Sequence, residues 1–234
     1  MVVSIHGGLW LDSYGRDLMD SVCGDLARRG WLAWNLEYRR LGSRRSDGGW
    51  PKTFDDVAAG IDALADHADL ADGRRVAVLG HSAGASLALW AAARPGLPEG
   101  SPGAHPEVTV RAAVSLSGIL DLTAGALDRR SVVGPGLIRF LGGRPDEVPD
   151  RYRLASPAER LPLGPDIRQL IVHGENDGTV PPEQSLAYAR RALDAGDPVE
   201  LRLVPRAGHM DLIDPRSPAW TATAEWLDRG FIRR

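Results

Sequence analysis

The 234-residue chain is 43% hydrophobic and 25% charged, long enough to bury one large core, and no break in composition divides it. A net charge of -3, with Lys52 the only lysine, argues against nucleic acid as a partner. The single cysteine, Cys23, excludes an internal disulfide and any cysteine-based metal site.

Arginines fall in pairs such as Arg28-Arg29, Arg39-Arg40 and Arg74-Arg75, which read as solvated helix ends and loops. The first residues do not form a signal peptide, and no apolar run is long enough to span a bilayer, so the reading is a soluble cytoplasmic protein with no membrane partner.

Val2 to Ile5 is a short β run that ends in His6-Gly7-Gly8-Leu9-Trp10, where two glycines let backbone amides turn into a cavity. The spacing of Leu18, Val22 and Leu26 predicts a helix over 12–29, closed by Gly30 and carrying Cys23 as a small buried residue. Trp31 to Leu36 reads as a strand, 41–50 as a loop, and Pro51 opens a helix that runs to about Leu70, with Asp55 and Asp56 suiting its dipole.

The stretch from 75 to 93 reads as buried strand, five-residue turn and helix. The turn, Gly80-His81-Ser82-Ala83-Gly84, fits the G-x-S-x-G pattern, in which a strained serine is exposed at a helix N-terminus and the glycines avoid collision with neighbouring elements. After a surface loop over 95–106, Val108 to Leu116 is another strand, and 119–165, rich in Pro and Gly with short apolar patches, reads as a small cap insertion. Ile167 to Val172 is a strand leading into the loop with Asp177, Pro182 to Ala195 a helix, and Val199 to Val204 a strand leading into the loop with His209. Ser217 caps a last helix that runs to about Arg229.

This alternation predicts one domain: an α/β, doubly wound, mainly parallel sheet with helices on both faces. Ligands bind beyond the carboxyl ends of such strands, where Ser82, the His6-Gly7-Gly8 turn, Asp177 and His209 all fall. A serine nucleophile requires a base and a group that orients the base; His209 and Asp177 suit these roles, in the chain order Ser, Asp, His. The backbone amides of Ala83, Gly8 and Leu9 suit an oxyanion hole, and His6 suits a residue that braces the turn. No histidine or carboxylate spacing suggests a metal site, and no cofactor is implied.

On these motifs the chain resembles the α/β-hydrolases of the serine esterase kind over nearly its whole length. His6-Gly7-Gly8-x-Trp10 resembles the oxyanion motif of the kynurenine formamidase and esterase branch. Gly80-His81-Ser82-Ala83-Gly84, His173-Gly174-x-x-Asp177-x-x-Val180-Pro181 and Gly208-His209 are similar to motifs common across esterases and prolyl-oligopeptidase-like hydrolases. A serine nucleophile argues against the dienelactone hydrolases.

The resemblance implies two leading strands that precede Val2 in such folds. Without them Trp31 to Leu36 lies at the sheet edge, where strand pairing favours a homodimer or aggregation. The expected function is a cofactor-free serine hydrolase that cleaves a small-molecule carboxylic ester or aryl formamide of small acyl group. A small peptidase or acyltransferase with the same triad, or a non-catalytic binding protein on the same fold, are the alternatives. Trp10 is expected to wall the acyl side and His81 to touch substrate, while Leu137, Ile138, Phe140 and Tyr152 either line an aryl surface or pack beneath the cap.

Overall fold

The computed structural model describes residues 1–42, 48–67, 76–128 and 131–231. Six strands, β1 (Val2–Ile5), β2 (Ala33–Leu36), β3 (Val76–His81), β4 (Val110–Leu116), β5 (Arg168–Gly174) and β6 (Val199–Val204), form one sheet in the order β2-β1-β3-β4-β5-β6. Every pairing is parallel. The order reverses between β1 and β3, so the chain winds outward in both directions from the centre and brings the turns after β1 and β3 side by side. As expected, β2 lies at an edge.

The strands are apolar on both faces because helices cover both. On one side Val2, Leu79, Val114 and Val172 pack against α1 (Asp20–Arg28) and α8 (Pro218–Phe231) through Val22, Leu26, Trp220 and Leu227. On the other, Val3, Ile5, Val78 and Ile171 pack against α2 (Lys52–Asp62), α3 (Ala83–Ala92) and α7 (Glu183–Asp194). The switch of side from Val2 to Val3 is the two-residue period of a strand. Every residue of α3 is buried, in keeping with its nearly uniform apolar sequence.

Several boundaries move. The helix expected over 12–29 begins with a 3-10 turn, Arg16–Met19, and the helix after Pro51 gives way to another, Ala63–His67. The end of that helix at Leu70, the pair Arg74-Arg75 and the middle of the 41–50 loop lie outside the described residues. The strand before Ser82 continues through Gly80 and His81.

Residues 119–165 are more helical than their Pro and Gly suggest, forming α4 (Leu122–Leu127), α5 (Val133–Leu141) and α6 (Pro149–Ala155). Leu137, Phe140 and Tyr152 are buried in the main core. Of the two readings for these residues, packing holds. The ring of Phe140 stacks on Trp10 at 4.3 Å and lies 5.4 Å from Phe54, which meets Trp90 edge-on at 4.9 Å, so an aromatic cluster joins the segment to α2 and α3.

Candidate active site

Ser82 stands where β3 ends and α3 begins, at φ 54° and ψ -121°, a conformation that costs an L-residue about 1–3 kcal/mol. Its N–H donates to the Leu116 carbonyl at the end of β4 (2.8 Å), and its own carbonyl accepts from Ala85 (3.0 Å), so the strained turn is tied on both sides. A Cβ at Gly80 would collide with the Gly84 carbonyl, and one at Gly84 with the Ile5 and His6 carbonyls. Glycine at both positions is therefore what lets β1, β3 and α3 close on the serine. The amide of Ala83 opens α3, where first-turn N–H groups have no helical acceptor.

The turn after β1 lies against this elbow. A Cβ on Gly7 would stand 2.8 Å from the His81 carbonyl oxygen and 2.9 Å from Ser82 Cβ. Gly8, Leu9 and Trp10 all have positive φ, 102°, 53° and 58°, a run that rolls the backbone into a tight loop closed by Leu11 N–H to Gly8 O (2.9 Å). His6 braces the loop as expected. Its buried ring has Nδ1 2.8 Å from Gly7 O and Nε2 2.8 Å from Glu37 Oε1, and Tyr38 stacks on it at 4.3 Å while donating to its carbonyl.

Asp177, beyond β5, and His209, beyond β6, meet through a 2.7 Å hydrogen bond from His209 Nδ1 to Asp177 Oδ2. The other carboxylate oxygen accepts from the amides of Thr179 (2.8 Å) and Val180 (2.9 Å). Burial works against the Asp177 carboxylate, yet hydrogen bonds from His173, His209 and the Val180 amide outweigh it and hold its pKa well below the usual range. It is an anion aimed at His209.

His81 brings His209 to the elbow. Its Nε2–H donates to the His209 carbonyl (3.0 Å), and the two rings lie 4.6 Å apart. Among the described residues no hydrogen bond joins Ser82 Oγ to the His209 ring, a contact that in unliganded sites commonly tightens only with substrate. Burial, with His209 adding to it, pushes the His81 pKa down to about 3, so the ring is neutral.

Two expected substrate contacts are corrected. Trp10 is 0% exposed, turned inward by its positive φ and stacked on Phe140, so it is a core residue and not a wall of the acyl side. His81 is buried and occupied with His209, so it positions that residue and does not face substrate. Tyr14 escaped the sequence reading: its ring lies over the face of Gly8 while the residue stays 46% exposed. No local pattern marks it, because its position comes from the fold of 11–15 back onto the loop. A cleft of about 830 Å³ opens between the Asp177 loop and α4, with Leu127 and Val132 exposed on its rim. Its walls include Asp177 but neither Ser82 nor His209, so it flanks the elbow.

Among the described residues, no helix is long and apolar enough to cross a membrane.

The sequence model of the BD-FAE family matches residues 1–191. Two proteins of Mycobacterium tuberculosis (strain ATCC 25618 / H37Rv) are similar to the chain: esterase LipC, 29% identical over 248 residues, and esterase LipQ, 28% identical over 207 residues. They cover 100% and 84% of this chain, which spans only 59% and 46% of their own length. Among solved structures, a truncated carbohydrate esterase from gut microbiota superposes with a TM-score of 0.79 at 22% identity, covering 97% of this chain and 84% of its own. A thermophilic esterase of Thermogutta terrifontis, Est2, superposes at 0.76 with 24% identity, covering 97% and 79%. These structural likenesses establish the fold. With the family match extending over most of the chain, the protein belongs to the BD-FAE family of α/β-hydrolases.

Proposed function

We propose that the protein is a serine esterase acting through an acyl-enzyme on Ser82. The observation that carries this reading is the pairing of a serine in a strained turn at a helix N-terminus with an Asp177–His209 hydrogen bond of 2.7 Å beyond neighbouring strands. Family membership and the two esterase relatives support ester hydrolysis as the reaction.

In this mechanism Ser82 Oγ attacks the ester carbonyl while its proton passes to His209 Nε2, and Asp177 stabilises the imidazolium that forms. The amides of Ala83, Gly8 and Leu9 receive the developing oxyanion, each such donor being worth about 2.7–4 kcal/mol of barrier. His209 then protonates the leaving alcohol, and water repeats the sequence to release the acid. Side chains, backbone amides and water suffice.

Substrates are carboxylic esters of short acyl chains, with aryl formamides as the corresponding activated amides. The test is a fluorophosphonate probe followed by peptide mapping, beside turnover of p-nitrophenyl acetate. Labelling at Ser82 that is lost in Ser82→Ala, with turnover lost in parallel, is the expected result. Turnover that persists in Ser82→Ala overturns the reading.

A further inference from the structure

The Asp177 carboxylate carries a second histidine. His173, at the end of β5, is fully buried, with Nε2 2.9 Å from the Val180 carbonyl and 3.4 Å from Asp177 Oδ2. Both are acceptors, so Nε2 holds the proton. Nδ1 lies 2.6 Å from Ser185 Oγ on α7, so in the neutral ring the Ser185 hydroxyl donates to it. Ser185 is fully buried as well, which confines its hydroxyl to the interior and makes the ring nitrogen its acceptor.

Val180 binds this arrangement twice. Its N–H donates to Asp177 Oδ1 and its carbonyl accepts from His173 Nε2, so one imidazole secures the loop 177–180 that carries the acid. The shared oxygen is the one His209 uses: Oδ2 accepts from His209 Nδ1 at 2.7 Å and faces His173 Nε2–H at 3.4 Å. Two N–H groups thus divide the negative charge of a single oxygen.

We infer that His173, held in one tautomer by Ser185, is a positioning residue that fixes the Asp177 carboxylate and tempers its pull on His209. The inference rests on the Ser82 reading of the site. It differs from a purely structural role in one respect, since charge drawn by His173 is charge unavailable to the His209 imidazolium. Removing the Nε2–H strengthens the Asp177–His209 attraction, favours protonated His209, and moves the acid limb of kcat/KM to higher pH. The other groups facing this cluster are Ser117, whose hydroxyl faces the Asp177 carboxylate, His81, against the His209 ring, and Ser185, behind His173. His81 is neutral over the working range, so it leaves the assignment of the limb to His209.

The experiment compares wild type, His173→Phe, His173→Gln and Ser185→Ala, each normalised to the fraction titrated by the fluorophosphonate probe so that misfolded protein is not counted. His173→Phe keeps ring volume and removes the donor. It is expected to lower kcat/KM by about ten- to a hundredfold, as a small displacement of an orienting group does, mostly in kcat. Its acid limb should rise by about half a pH unit, the size expected when one hydrogen bond to a neighbouring charge is lost. His173→Gln, with an amide N–H near the Nε2 position, restores the limb. Ser185→Ala shifts it in the same direction by less, and serves if His173→Phe does not fold. A limb at the wild-type position in both His173→Phe and Ser185→Ala, with Ser82 labelled normally, overturns the inference alone. A wild-type protein in which Ser82 is not labelled overturns the serine reading and this inference with it.

Discussion

Gly7 and Ser82 are in such close register that a methyl group on Gly7 would stand 2.9 Å from the serine Cβ and 2.8 Å from the His81 carbonyl oxygen. The Gly7-Gly8 loop and the Ser82 turn are therefore packed as one body, although 75 positions separate Gly7 from Ser82 in sequence. Gly7→Ala must displace one from the other. A shift approaching 1 Å near reacting atoms costs up to about a hundredfold, so kcat for p-nitrophenyl acetate should fall by at least tenfold. Wild-type kcat in Gly7→Ala would show that the two turns have slack.

Ser82→Ala should remove turnover by about three orders of magnitude or more, with His209→Ala similar and Asp177→Asn milder, because members of a triad act as a unit. Circular dichroism and urea midpoints should stay near wild type for Ser82→Ala. Residual turnover within tenfold of wild type in any of the three would remove that residue from the proposed chemistry.

Acid should weaken the fold through His81. Its pKa is pushed down to about 3 when buried, whereas in the unfolded chain it titrates near 6.5. Between those values the unfolded state binds the extra proton, so stability is complete above about pH 6.5 and declines as pH falls. The slope for one such group is about 1.4 kcal/mol per pH unit. Asp177, with its depressed pKa, loses its own contribution below about pH 4, where the unfolded carboxyl protonates. The window from about pH 6.5 to 4 therefore reports chiefly on His81. Urea unfolding across it should show a shallower slope in His81→Asn, and an unchanged slope would place the acid sensitivity elsewhere.

Trp10→Ala should act on stability and not on selectivity. The ring is wholly buried against Phe140, and loss of a buried aromatic typically costs about 3–5 kcal/mol. Urea denaturation measures this. A variant as stable as wild type but altered in acyl-length preference would return Trp10 to the substrate side.

Tyr14 is the aromatic residue left at the loop surface, lying over Gly8 and half exposed. For p-nitrophenyl esters, acetyl and butyryl should be cleaved much faster than dodecanoyl. Tyr14→Ala should narrow that difference by about 1–3 kcal/mol, the range open to hydrophobic discrimination. A wild-type enzyme fastest on dodecanoate would rule out a short acyl site, and an unaltered ratio in Tyr14→Ala would remove Tyr14 from it.

What the sequence by itself determined is what local chemistry dictates. The apolar runs of β1 and β3 and the Gly80-x-Ser82-x-Gly84 turn were legible because strand burial and left-handed backbone leave their mark within a few residues. Strand alternation then placed Ser82, Asp177 and His209 beyond the carboxyl ends of the strands, which follows from topology alone. The direction of each loop side chain was decided only by tertiary structure. Trp10 ends a run of three positive φ values and its ring is buried, where Phe140, from a segment 130 positions away, receives it. His81 and His173 each occupy a motif position, yet what they hold is decided by the fold: the carbonyl of His209, 128 positions away, for one, and Ser185 on α7 together with Asp177 for the other. A side chain's role in such a site is set by its partners in space, and packing of long-range elements supplies those partners.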